Sequence, residues 1–158
     1  MKTTKMNKKK PTIPCSECHL IVFDKLNSSL FDIAKNIRFK VFVEEQGFDV
    51  NDEFDGKDSD ATHALLFHHD QPVAVCRMRK TEQGIKLERM AVIRKHRQHG
   101  MGKCLMQKLM AHLGKSKDNM YLYAQKNAVS FYKTFGFVTV GSLFKDAGAD
   151  HFKMIAQF

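Results

Sequence analysis

Apolar residues along the chain fall into short continuous runs and helical stripes. Leu20, Ile21, Val22 and Phe23 are unbroken and predict a buried strand over residues 18–24. Leu30, Ile33, Ala34, Ile37 and Val41 recur at helical spacing, and Gly47 supplies a stop. Ser29-Leu30-Phe31-Asp32 resembles a capping box with Asp in the place of Glu. Three apolar runs follow: Thr62 to His69, Val73 to Lys80 and Ile85 to Val92. Short turns at Asp70-Gln71-Pro72 and Glu82-Gln83-Gly84 separate them, so they predict an antiparallel meander. Met101, Leu105, Leu109, His112 and Leu113 then line one face of a second helix. Met120 to Ala124 predicts a strand, and Asn127 to Phe135 a short helix closed by Gly136. Phe137 to Leu143 and His151 to Gln157 predict the last two strands. The order is β-α-βββ-α-β-α-ββ. Short and crossover connections together imply an α/β (α+β) fold, with a mixed central sheet of about seven strands and flanking helices.

Composition changes this picture little. The chain has 158 residues, enough for a single core, with 43% hydrophobic and 27% charged residues. No apolar run reaches membrane-spanning length, and Met1 to Pro14 contains no secretory h-region, so the expected compartment is the cytoplasm. Charge adds more. Of a net +9, Lys2, Lys5, Lys8, Lys9 and Lys10 supply five. Residues 1–14 therefore read as a disordered basic tail, and residues 15–158 as the domain. A solvated extension is the main reading of that tail; contact with nucleic acid or an anionic membrane is the alternative.

Residues 47–61 carry Asp49, Asp52, Glu53, Asp55, Asp58 and Asp60. Asn51, Glu53, Asp55 and Gly56 loosely track half of a calcium loop, but Thr62 stands where a bidentate Glu is required. The expectation is a solvated loop beside a cleft. Cys15-Ser16-Glu17-Cys18-His19 formally matches a haem-attachment pattern, but no export signal accompanies it. It reads as a chance pair at the edge of the first strand, while Cys76 and Cys104 read as core thiols. The eight histidines are scattered, and no spacing among them points to a metal.

The chemistry concentrates after the third meander strand. Leu87 to Val92 runs into Arg97-Gln98-His99-Gly100-Met101-Gly102-Lys103, where a helix begins at once. Free amide groups and positive charge at a helix start suit a phosphate. A P-loop is excluded, because Cys104 follows Gly102-Lys103 and Arg97 stands where the first glycine belongs. A dinucleotide fingerprint is excluded, because Leu105 occupies its third glycine position.

Arg97-x-x-Gly100-x-Gly102 after that strand resembles the acetyl-CoA pyrophosphate motif of the GNAT acetyltransferase superfamily. Ala124-Gln125-Lys126-Asn127, followed by Phe131-Tyr132-Lys133-Thr134-Phe135-Gly136-Phe137, is similar to its second hallmark. Arg38 to Gly47 and Phe144 to Gly148, leading to His151, resemble a small ElaA-like branch. The resemblance spans roughly residues 18–157 and implies an N-acetyltransferase that uses acetyl-CoA and forms a homodimer. It implies that Met90, Ala91 and Val92 pair with the pantetheine arm. It implies that residues Arg97 to Lys103 hold the pyrophosphate, with His99 contributing its backbone N–H. Asn127, Phe131 and Lys133 join the cofactor set, although the family's Asn-x-x-Ala pattern is compressed here.

Acetyl transfer needs a proton acceptor for the amine, stabilisation of the developing oxyanion and a proton donor for the thiolate. Tyr132 is the expected acid, since a phenol near pKa ~10 stays protonated at neutral pH. Seen without the motif, it is a core aromatic in the stripe Ala128, Phe131, Tyr132 and Phe135. Glu88 is the expected base, with an ion-paired Glu as the alternative. Arg38, Arg77 and Arg79 suit an anionic acceptor, with glucosamine 6-phosphate as the first expectation. Glu44, Glu45 and the acidic loop suit a cationic amine instead, such as a polyamine, an amino acid or a peptide lysine. His151 opens the last strand and is expected to face the acceptor. A CoA-binding module without turnover is the rival from another class.

Overall fold

The computed structural model describes residues 9–158; Lys2, Lys5 and Lys8 of the expected tail lie outside them. The strands are β1 (Cys18–Phe23), β2 (Ala61–His68), β3 (Gln71–Thr81), β4 (Gly84–Val92), β5 (Met120–Gln125), β6 (Phe137–Asp146) and β7 (Ala149–Ala156). They form one sheet in the order β1-β2-β3-β4-β5-β7-β6. Neighbours are antiparallel except β4 and β5, which run parallel. The mixed sheet predicted from periodicity is thus present, with the predicted order of strands and main helices.

Helices cover both faces. Phe31, Ala34 and Ile37 of α1 (Ser29–Arg38) pack on Leu65, Phe67 and Val75. Leu105, Met106 and Leu109 of α3 (Met101–Leu113) pack on Ala64, Leu66, Ala74 and Cys76 from the opposite side. Alternate residues of β2 and β3 therefore enter different cores, which is why both strands read as unbroken apolar runs. Burying a side chain such as Ile37 stabilises by roughly 1.5–3 kcal/mol. The exposed Asp32–Lys35 pair on the same helix adds only about 0.2–0.5 kcal/mol.

Several local expectations are corrected. The N-cap is Ser28, one residue before the expected position; its Oγ accepts from the Phe31 N–H at 3.2 Å. The helix reaches toward Gly47 only by widening into a π-turn over Phe39–Glu45. The predicted third helix is a 3-10 turn, Lys126–Ala128, followed by α4 (Val129–Lys133). Cys104 is not a free core thiol: it is disulfide-bonded to Cys15, while Cys18 and Cys76 are free and buried. Nor does the chain from Pro11 hang free. The Ile13 N–H donates to the His99 carbonyl at 2.9 Å, and His99 Nδ1 donates to the Pro11 carbonyl at 2.7 Å.

Candidate active site

β4 and β5 pair only from Ile85–Met120 to Leu87–Leu122. Past that point β5 stays bound to β7 as far as Gln125–His151. β4 bends away because Arg89 is an extra residue in it. Its pairing with β3 passes from Ala91–Val75 to Glu88–Arg77, and Arg89 takes φ 53°. A bulge of this kind twists and redirects its strand. Among the described residues, the β5-side edge of Glu88 to Val92 has no strand partner, which leaves a wedge.

Tyr132, on α4, sits beside that open edge, with its Oη 3.5 Å from Met90 Sδ. Burial pushes its phenol pKa well up, and the neighbouring Cys76 adds to the shift, so the proton stays on at neutral pH. The glycine turn lies beyond the end of β4. Gln98 and Gly100 both have left-handed backbones, at φ 66° and 86°. Among the described residues no side chain caps α3, so the amides of Met101, Gly102 and Lys103 point out of the helix start without a cap from them. The Met101 side chain is in the core; Lys103 is exposed and has no ion-pair partner among the described residues. A Cβ at Gly102 would lie 3.4 Å from Phe131, in ordinary van der Waals contact, so α4 packs directly against the start of α3. Ala91 is buried on the α1 side, and Asn127 and Lys133 are exposed at the two ends of the α4 region.

Arg97 and Glu45 were expected on different ligands, but they are bound to each other. Arg97 Nη1 and Nη2 donate to the two Glu45 oxygens at 2.7 and 3.0 Å, and Nε donates to the Val92 carbonyl at 2.9 Å. The guanidinium ties the π-turn to the end of β4. Gln46, next along, accepts from Gln125 at 2.9 Å.

The expected acceptor arginines are also committed. Arg38 and Arg77 are both 0% exposed. Arg38 Nε donates to Glu53 at 2.6 Å and Nη1 to Asp58 at 2.7 Å. Arg77 binds Asp55 at 2.8 Å, Asp58 at 3.0 Å and Glu88 at 2.8 Å. Arg79 clamps both Glu88 oxygens at 2.8 Å, and Lys86 adds a contact at 3.0 Å. The bulge residue Arg89 reaches Glu53 at 2.8 Å and Asp55 at 3.2 Å. The loop expected to be solvated therefore folds inward on α2 (Val50–Glu53), and Glu53 and Asp58 are buried.

Glu88 does not suit the base role. Burial alone would raise its pKa, but the hydrogen bond from Arg79 and the charges of Arg77 and Lys86 outweigh it and hold the carboxyl at about 2. Such a carboxylate is a weak proton acceptor. Burial likewise opposes the ionisation of Asp58 and Asp55, and the arginine contacts again lower both. At Glu53 burial prevails and pushes the carboxyl up despite Arg89 and Arg38. His151 is buried, donates from Nδ1 to its own neighbour's carbonyl, Ala149 O, at 2.8 Å, and stacks on Phe144.

Glu53, Asp55 and Asp58 were missed as partners of these arginines. The available signal was Arg77 itself, a cation between Cys76 and Met78 in a strand that is apolar on both faces.

Fold and wedge together define an acyltransferase. The domain description "Acetyltransferase (GNAT) domain" matches residues 35–158, and the chain belongs to the GNAT acetyltransferase family. It is 33% identical over 121 residues to the uncharacterized N-acetyltransferase YjcF of Bacillus subtilis, covering 75% of this chain and 86% of that one. It is 32% identical over 129 residues to Protein ElaA of Escherichia coli, covering 77% and 83%. The crystal structure of Escherichia coli ElaA is similar with a TM-score of 0.76 and 26% identity, covering 87% of this chain and 99% of that one. An acyl-CoA N-acyltransferase from Pseudomonas aeruginosa shares the fold, with a TM-score of 0.75 at 22% identity over 89% and 99%.

Proposed function

We propose that the protein transfers an acetyl group from acetyl-CoA to a primary amine of a small molecule. The β4–β5 wedge carries this reading, with an open strand edge leading from Tyr132 toward an uncapped helix start. The amides of Met101 to Lys103 and the Lys103 ammonium suit a pyrophosphate. The edge from Met90 to Val92 suits an extended arm that pairs as an added strand. Acetyl-CoA, when bound, supplies the acyl group as an activated thioester. Tyr132 holds a proton at Oη for the departing thiolate. Glu88 fixes the arginines instead of taking the amine's proton, which leaves to water. Arg97 and Glu45 brace the end of β4.

The acceptor reading shifts with the geometry. Glucosamine 6-phosphate drew its support from Arg38, Arg77 and Arg79, and all three are matched internally. Polyamines, amino acids and peptide lysines stand beside it as candidates. Among the described residues no helix is long and apolar enough to cross a membrane. We place the protein in the cytoplasm as a homodimer. Thiol release from acetyl-CoA, followed across a panel of these amines, tests the proposal. Turnover with one class is expected. CoA binding with no turnover across the panel would favour a non-catalytic module.

A further inference from the structure

Histidine spacing gives no metal signal, yet the fold gathers two adjacent histidines and a carboxylate 51 residues away. His68 ends β2, His69 opens the β2–β3 turn, and Glu17 ends the 3-10 turn Cys15–Glu17. Glu17 Oε2 lies 3.2 Å from His68 Nε2 and 3.8 Å from His69 Nε2. The three ligand atoms are all within 4.8 Å of one another. We propose that Glu17, His68 and His69 bind a divalent transition metal of the zinc type, at a site separate from the acetyl-transfer machinery.

The geometry suits such an ion. Tetrahedral zinc with nitrogen and oxygen ligands at about 2.0–2.1 Å sets its ligand atoms about 3.3 Å apart. The Glu17–His68 separation already matches, and the Glu17–His69 separation closes with a small side-chain turn. Hydrogen bonding accounts for only half of the cluster. His68 is within bonding distance of Glu17, whereas His69 is too far. His69 nevertheless adopts a left-handed backbone, φ 52°, with its ring 4.3 Å from that of His68. The backbone holds the ligands in place: Cys18 pairs with His68, and the His69 N–H faces the Glu17 carbonyl at 3.5 Å.

Donor chemistry selects the ion. Two imidazoles and one carboxylate favour zinc, nickel or copper, whereas magnesium and calcium prefer all-oxygen sets. Glu17 and His69 are well exposed, which leaves room for water to complete the coordination. A bound ion would join the hairpin tip to the segment that touches His99 in the glycine turn.

The test uses the untagged full chain with the Cys15–Cys104 disulfide intact. Zinc binding is measured by calorimetry, and cobalt binding by absorption. One ion per chain is expected, with a Tm rise of about 5 °C or more at saturating zinc. The cobalt spectrum should lack a thiolate charge-transfer band. Glu17→Gln and His69→Asn should each weaken zinc binding ~10-fold or more. Asn tolerates the left-handed backbone, so the metal-free Tm should hold in both variants, as should acetyl-CoA binding. A Kd weaker than ~1 mM would overturn the proposal. So would equal zinc affinity in both variants, or a thiolate band that places the ion on the cysteines.

Discussion

On the α1 side of β4, charged groups are buried and matched. Arg38 and Arg77 meet Glu53, Asp55, Asp58 and Glu88 with almost every donor engaged. At the wedge the opposite holds: among the described residues β4 has an unpaired edge, and α3 starts without a side-chain cap. Matched groups have little left to offer a ligand, whereas open ones do. The two regions are joined by Arg89. Its guanidinium belongs to the charge cluster, and its backbone is the bulge that turns β4 away from β5. The cluster thus shapes the wedge, and its β4 members, Glu88 and Arg89, begin the open edge.

Removing a cluster cation is the strongest way to break this division. Arg77→Met leaves Asp55, Asp58 and Glu88 short of a partner in a buried setting, at a cost of about 3–5 kcal/mol. Urea denaturation should show that loss. If stability holds and only the acceptor KM rises, Arg77 binds substrate and the division fails.

Acid attacks the same cluster less severely. The Glu88 carboxyl falls from 4.5 to about 2 on folding, so its stabilisation is complete above pH 4.5 and is lost as pH falls through 2. By linkage that amounts to roughly 3 kcal/mol. Asp55 and Asp58, also lowered, act in the same direction; Glu53, raised, opposes them. Denaturation curves between pH 6 and 2 should therefore show falling stability, with a shallower fall in Glu88→Gln. The same variant should keep the pH–rate profile of the parent. A displaced acid limb in that profile would restore Glu88 as the base.

The difference between the regions also explains what the sequence revealed. The glycine turn was legible because its residues, Arg97 to Lys103, are contiguous and its chemistry is local. The strands and main helices were legible because one-sided or two-sided burial leaves a periodic trace. The cluster was not. Arg38, Glu53, Asp58, Arg77 and Glu88 lie on five separate elements, and no spacing rule pairs them. Read singly, each arginine is a candidate anion site and each acid a solvated loop residue. The Cys15–Cys104 bond, which spans 89 positions, and the pairing of Arg97 with Glu45 were hidden for the same reason.

At the wedge, Tyr132→Phe removes one hydroxyl. Its hydrogen-bond partner among the described residues is the Met90 sulfur at 3.5 Å, a weak acceptor, so Tm should hardly move. Loss of a general acid should lower kcat about 100-fold, or roughly 2.7 kcal/mol of barrier. Acetyl-CoA binding, followed by calorimetry, should persist. Unchanged turnover would make Tyr132 the core aromatic that its helical stripe suggests.

A matched pair of glycine variants gives the smallest and most local effect. Gly100 and Gly141 both hold left-handed backbones, at φ 86° and 75°. Alanine at either position should cost about 1–2 kcal/mol in backbone strain. Their surroundings differ. A Cβ at Gly141 meets nothing within 4 Å, whereas one at Gly100 lies 3.2 Å from Thr12 Cγ2 at the start of α3. The left-handed backbone strain common to both falls on a remote β6 bend in one variant and on the proposed phosphate grip in the other, where Thr12 must also give way by a few tenths of an ångström. If the uncapped amides hold the pyrophosphate, only Gly100→Ala should raise the acetyl-CoA KM, by several-fold. Should both variants lose stability while both KM values stay put, the amides at the α3 start are open but idle, and the grip must lie elsewhere along β4.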